Sequence, residues 1–441
     1  MSLALVRVSI LASAFLLITG CGGNSSSGNA TNGSGGNSPA TVTFTIVGGV
    51  PSALATKIGS GPFTAATLTS GKLTLSLPSD TTPFAVAYAC PPESLPPSTT
   101  TPISLTEEHV FEATALDGTS FDGSCPGIAL PSAGPTGILT GSVDASAIPE
   151  AGVVEIYAQG PANPTPVFPH VLPNLTDSFS LSAPAGNDRV MVLVYAPAGP
   201  GGNQAATSLV ATKNFNSQAV PGSLNGGATI VLGAADQTTT APLTYQNVPP
   251  GYTAPTTLVG YQIAGNGSIS IAGLATSTYP VVPAGAAEMG DSYSFLAHAS
   301  STSQPSQAIA VRTTLPTAGP ASIAFPPAWP YAGPTPAPLP SFDLSYTGFP
   351  ATSVYREVGL IWLVDDTAEN LVSVTATQNY LNGSTTVVIP DLTGLAGFLA
   401  SPASGANVTW NAAILQGGVS SVSSSSGTIA TVSNSGTYSV P

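Results

Sequence analysis

The stretch Ser178–Ala196, SFSLSAPAGNDRVMVLVYA, decides the fold. Its first half alternates: Phe179, Leu181 and Ala183 fall on one side of an extended chain and Ser178, Ser180 and Ser182 on the other, the two-residue period of a half-buried strand. Its second half, from Arg189 to Ala196, is apolar almost without a break and rich in valine, and a polar turn of Gly, Asn and Asp separates the two. The pair reads as a β-hairpin. KLTLSLP (Lys72–Pro78) followed by PFAVAYA (Pro83–Ala89) reads the same way.

Working outward, a strand that ends at a hydrophobic residue and proline recurs. It is TVTFTIVGGVP ending at Pro51, GILTGSVDASAIP ending at Pro149, TAPLTYQNVPP with Pro249, and SFDLSYTGFP ending at Pro350, at intervals of 98, 100 and 101 residues. Four markers at nearly constant spacing argue for an internal repeat. After each comes an alternating segment: KLTLSLP, SFSLSAP, GSISIAG (Gly267–Gly273) and LVSVTAT (Leu371–Thr377) are read as counterparts. The third and fourth repeats also share STYPVVPAG and TTVVIPDL, followed by SYSFLAHA and VTWNAAIL. Short strands, frequent Gly and Pro turns and no long 3.6-period segment point to β-sandwiches.

The fold expected is therefore all-β: four tandem β-sandwich modules after a signal peptide and a flexible tether. The divisions are a signal peptide over 1–20, a Gly/Ser/Asn tether over 21–40, and modules over 41–135, 136–236 and 237–328. A Pro-rich linker over 329–340 and a fourth module with a Ser-rich tail over 341–441 complete the chain. The Pro326–Pro340 stretch, PPAWPYAGPTPAPLP, favours extended polyproline backbone and is expected to hold the third and fourth modules apart.

Composition narrows the class of function. Only 6% of residues are charged, against about 25% in an ordinary soluble domain, so long surface helices lack their usual Glu, Lys and Arg. Twenty-one acidic residues face seven basic ones, or six without Arg7. Phosphate binding needs a basic patch, so nucleic acid is not expected as a partner. Anionic headgroups are disfavoured for the same reason.

At the N-terminus, Arg7 precedes an apolar run from Val8 to Ile18, which small residues and a cysteine follow, the tripartite layout of a secretory signal. Eleven helical residues cover roughly half of a ~30 Å hydrocarbon core, so the run is a signal segment and not a span. Ile18, Thr19, Gly20 and Cys21 resemble the lipobox of bacterial lipoproteins. That resemblance implies cleavage before Cys21 and acylation of its thiol, with two or three chains holding the protein at the membrane. Gly22 stands where the family's inner-membrane retention signal would be Asp, which favours the outer membrane in a host with two. The tether that follows cannot bury apolar surface, and as a flexible coil it reaches about 25 Å.

Cys90 and Cys125 are then an even pair outside the cytoplasm, most simply a disulfide worth about 4 kcal/mol to its module in the chain-entropy model. No zinc, CxxC or haem spacing occurs, and no cofactor is expected. GxSxG, HExxH, phosphate-loop and calcium-loop motifs are missing from the sequence. The three histidines, His109, His170 and His298, fall in three modules.

The residues best suited to a cation are Glu107, Glu108, His109, Glu112, Asp117 and Asp122. On a strand Glu107 and His109 share one face and Glu108 and Glu112 the other, so the set converges only around a loop or bulge. Without one it is a polar edge strand followed by turns at Asp117 and Asp122. Asp365, Asp366 and Glu369 form a second acidic turn after GLIWLV, read as a solvated hairpin end. Trp329 and Tyr331 either pack on a neighbouring module or stand exposed to stack on a ligand, whereas Trp362 and Trp410 lie in apolar strands and belong to a core.

The modules resemble the immunoglobulin-like or carboxypeptidase-regulatory-like sandwiches of bacterial surface proteins, on hairpins such as SFSLSAPAGNDRVMVLVYA and on NVPPGY (Asn247–Tyr252). Two functions from different classes follow. One is a lipid-anchored, non-enzymatic envelope protein that binds glycan, protein or envelope polymer, or serves as a stalk. The other is an envelope hydrolase with its site between modules, whose sign would be a cleft bringing a histidine within hydrogen-bond reach of a serine and a carboxylate.

Overall fold

The computed structural model describes residues 38–95, 103–125, 136–159, 170–197, 208–264, 267–275, 277–301, 306–349, 354–365, 368–416 and 428–441. The expected signal segment, Cys21, nearly all of the expected tether, Asp366 and the Ser-rich part of the tail lie outside these. Within them the chain is almost entirely β, with one short α-helix, Gln378–Leu381. No helix among the described residues is long and apolar enough to cross a membrane.

The same strand order is built four times. The marker strands Ala40–Gly48, Thr136–Asp144, Thr239–Gln246 and Ser341–Asp343 each open a repeat and pair antiparallel with its fourth strand: Lys72–Leu77, Thr176–Pro184, Thr278–Val281 and Thr386–Val388. In the first three repeats the marker also pairs in parallel with a seventh strand, Ser120–Cys125, Gly222–Ser223 and Ala321–Ala324 respectively. These make a small sheet.

The large sheet of each repeat runs in the order third, second, fifth, sixth strand. In the first repeat this is Thr64–Ala65, Ala53–Ile58, Phe84–Ala89 and Ile103–Ala113; in the second, His170–Leu172, Val153–Gln159, Gly186–Tyr195 and Leu209–Val220. The third has Gly267–Ala275, Thr256–Ile263, Ser292–Ser300 and Ser306–Leu315, and the fourth Ala368–Thr377, Val354–Asp365, Asn407–Gln416 and Ile429–Ser439.

Two sequence expectations change here. SFSLSAP and RVMVLVYA do not form a hairpin, nor do KLTLSLP and PFAVAYA: in each pair the chain crosses from the small sheet to the large one. Burial had marked the difference. Lys72–Leu77 alternates between exposed and buried, whereas Phe84–Ala89 is buried at all six positions, because only the second lies in a sheet covered on both faces. GSISIAG and LVSVTAT, likewise, are third strands of large sheets and no counterparts of KLTLSLP. The true fourth strands of the later repeats are the TYPVV and TVVIP segments. Alternation shows that one face is buried, but not against which sheet.

The repeats are also not held apart. Ser306–Leu315 of the third pairs antiparallel with Ile429–Ser439 of the fourth, and Ala368–Thr377 of the fourth pairs in parallel with Ile103–Ala113 of the first. Among the described residues, three large sheets of four strands thereby fuse, together with the short strand Glu93–Leu95 that pairs with Ile103–Ala113, into one sheet of 13 strands. Bare edges with open N–H and C=O groups find partners in each other. One face of this sheet carries the shared core of the third and fourth repeats, including Ile309, Val432, Ile414, Val358 and Val374, and continues through Val110, Ala87 and Ala55 of the first. The first repeat's own core, with Phe44, Phe84, Val86 and Phe111, lies on the opposite face, so that repeat is mounted upside down relative to its neighbours.

The Pro-rich segment packs into the shared core. Trp329 is 3% exposed, its Nε1 donates to the Ser345 carbonyl at 3.0 Å, and its ring stacks on Tyr331 at 4.9 Å. Gly333, at φ +101°, approaches Trp410 so closely that a Cβ there would lie 2.7 Å from the indole. Polyproline backbone lacks internal hydrogen bonds, and here aromatic burial supplies the cohesion.

Candidate functional site

The polar residues singled out in the sequence gather along the parallel seam between Ile103–Ala113 and Ala368–Thr377. Strand register sets their faces. Ser373 lies opposite His109, which lies opposite Tyr88, while Val372 lies opposite Glu108. Glu107 and His109 therefore point one way and Glu108 and Glu112 the other, as a continuous strand requires.

On the first face, His109 Nδ1 is 2.7 Å from Ser373 Oγ and Nε2 is 3.1 Å from Glu107 Oε2. With its proton on Nε2 the ring donates to the carboxylate and accepts from the serine hydroxyl. Tyr88 stacks on the imidazole at 5.0 Å, and burial raises its hydroxyl pKa. Cys90 and Cys125, joined as a disulfide, close the same end of the first repeat. Ser373 and Tyr88 were not singled out beforehand. Ser373 stands 264 residues from His109 in the chain, and no local pattern connects them.

On the second face, Glu108 Oε2 accepts from the Leu399 amide at 3.0 Å, where the loop of the fourth repeat passes Ala53 at Gly397. A cavity of about 10 Å³, room for one water, lies beside Glu108 between Trp362, Val372, Leu392 and Leu399. Burial pushes the Glu108 carboxyl up to about 7, with the Leu399 amide pulling it down and Asp391 adding to the rise. Burial likewise pushes Glu112 up to about 7, opposed by the Tyr380 hydroxyl and by Lys57.

Asp117 ends the seam. Its Oδ2 accepts from the Thr114 amide and hydroxyl and from Thr377 Oγ1 at 2.7 Å, and its Oδ1 accepts from Asn379 Nδ2 at 2.8 Å. Asp122 is exposed on the seventh strand of its repeat, opposite Thr45. The six candidate cation residues thus divide. Glu107 and His109 converge, with Cys90, into one cluster. Glu108, Glu112 and Asp117 are occupied in holding the fourth repeat to the first, and Asp122 lies exposed at the surface.

Trp329, Trp362 and Trp410 are all buried, and Tyr331 packs beside them, so of the two alternatives left open for Trp329 and Tyr331 the structure has packing. Asp365 sits at the end of its strand as a hairpin residue, and Glu369 lies opposite Leu363 in the partner strand.

A second polar cluster joins the second and third repeats. Asp291 accepts five hydrogen bonds: two from the Arg189 guanidinium at 2.7 and 2.8 Å, one from the Tyr261 hydroxyl, and two from the amides of Ala264 and Glu288. Burial would raise this carboxyl, but Arg189 and the other donors prevail and hold it at about 2. Glu288 lies 3.1 Å from Arg189 Nε and accepts from Asn214 Nδ2. The sequence matches no protein-family model and no curated protein sequence.

Proposed function

We propose that this chain is a lipid-anchored protein of the cell envelope that acts without catalysis, as a rigid binding, adhesive or structural body at the end of a tether. The observation that carries the reading is the 13-stranded sheet, which links three repeats edge to edge into one stiff platform. Strands locked into a shared sheet suit a load-bearing or presenting role better than moving lids. The Cys90–Cys125 disulfide supports a place in an oxidising compartment. The lipid on Cys21 supplies the membrane partner, in the outer membrane if there are two. Glycan, protein or envelope polymer are the ligand classes that match an acidic surface, and nucleic acid does not.

The test joins clickable fatty-acid labelling of the full chain in cells with binding of the purified chain to glycan and envelope-polymer arrays. Label on the wild type and none on Cys21→Ser, together with array binding, is the outcome expected. Unlabelled protein retained in the cytoplasm would overturn the placement, and silence on every array would reduce the role to that of a spacer.

A hydrolase is the second reading, favoured by the approach of His109 to both Ser373 and Glu107. Against it, Ser373 lies in mid-strand, paired with Gly359 on one side and His109 on the other, and is only 5% exposed. Its neighbouring amides serve the ladder and leave none to hold an oxyanion. Labelling of Ser373 by a fluorophosphonate would reverse the ranking.

A further inference from the structure

Among the described residues the core of the first repeat is apolar, and at one end it meets polar side chains. There Cys90 Sγ, a Glu107 carboxylate oxygen and a His109 ring nitrogen all lie within 4.8 Å of one another, and Cys125 Sγ is bonded to Cys90. Cys90 donates its amide to the Glu107 carbonyl, so the ladder itself fixes the cysteine beside the acid. Cys90, Cys125 and Glu107 are buried, and His109 is nearly so.

We propose that this cluster is a redox-gated zinc site: the two sulfurs form a disulfide under oxidising conditions and, once reduced, bind one Zn²⁺ together with His109 Nε2 and Glu107. Two thiolates, an imidazole and a carboxylate are a tetrahedral donor set that suits zinc, whereas calcium and magnesium take oxygens. The 3.1 Å between Nε2 and the Glu107 oxygen is close to the edge, about 3.3 Å, of a tetrahedron with bonds of about 2.0 Å.

The surroundings also fit. A metal-bound histidine donates its other ring N–H to a nearby acceptor, and Ser373 Oγ stands 2.7 Å from Nδ1 to receive it. Tyr88 holds the ring plane by stacking. In apolar surroundings a thiol keeps its proton, so a cation is what would turn the reduced pair into thiolates.

The step balances with a dithiol as reductant. The dithiol passes two electrons and two protons to the Cys90–Cys125 bond and leaves as its own disulfide. Zn²⁺ then displaces the two thiol protons to solvent, and the ring proton shifts to Nδ1.

The test uses the full chain with Cys21→Ser, so that only the pair remains. A phosphine reduces it, taking oxygen from water and leaving no thiol to compete, and Co²⁺ is titrated without air before displacement by Zn²⁺. One equivalent of cobalt, with the visible bands of tetrahedral geometry and thiolate charge transfer, is the result expected. The oxidised chain should show neither. His109→Ala and Glu107→Gln should weaken zinc binding at least about tenfold, and Ser373→Ala by a comparable factor through the loosened ring. A reduced chain that binds no cobalt, or binds it equally well in the Glu107→Gln chain, would overturn the proposal. Glu107→Gln is nearly isosteric, so its result stands even where His109→Ala does not fold.

Discussion

A carboxyl held near 7 in the fold takes up a proton that the unfolded chain has already lost at the same pH. Glu108 and Glu112 are both in this position. Stability they contribute is therefore complete below the ordinary Glu value, falls as pH rises toward 7, and changes no further above it. The melting temperature should drop between pH 5 and pH 7.5, and Glu108→Gln, neutral throughout, should flatten that slope and melt above the wild type at pH 8. A slope unchanged in Glu108→Gln would mean the carboxyl is ionised in the fold. Asp291 has the opposite sign: held at about 2, it stabilises the fold above the ordinary Asp value and loses that contribution as pH falls from about 4 toward 2. Gly333→Ala introduces a side chain at positive φ against Trp410, and calorimetry should find a loss of about 2 kcal/mol or more.

At the scale of elements, the clasp between the second and third repeats rests on a bidentate ion pair in a buried setting. Removing one partner leaves the other charge uncompensated. Arg189→Met should cost about 3 kcal/mol or more, and Asp291→Asn nearly as much, with the double variant recovering part of the loss; simple additivity in a double-mutant cycle would show the two side chains to be uncoupled. This scale is also where sequence reading succeeded and failed. Marker strands and turns were legible because Val42, Phe44 and Ile46, or Leu73, Leu75 and Leu77, alternate with Thr and Ser. Which strands pair was not, since Phe84–Ala89 is buried on one face by its own repeat, through Phe84 and Val86, and on the other, through Ala85 and Ala87, by a core shared with later repeats far along the chain. The acids Glu107 to Asp117 were visible as a group. Their division between the two faces followed from strand geometry, but their partners Ser373, Thr377 and Leu399 belong to another repeat.

For the whole molecule, the seams make the repeats depend on one another. Ending the chain at residue 340 removes the strands that cover both Ile103–Ala113 and Ser306–Leu315, exposing two long edges that invite pairing between chains. Such a chain should aggregate where the full one stays monodisperse in light scattering; a well-behaved monomer would show that the third and first repeats close their edges unaided.

The parallel seam sets a sequence of events as well as a shape. In a chain exported as proposed, His109 would leave the channel long before Ser373, and until the last repeat arrived the strand that bears His109 would have an open flank. An anchored N-terminus would keep that flank close to the membrane and to neighbouring copies during the wait. Chaperones of the envelope, acting on a half-delivered polypeptide, would then matter more for this protein than for a string of self-sufficient beads.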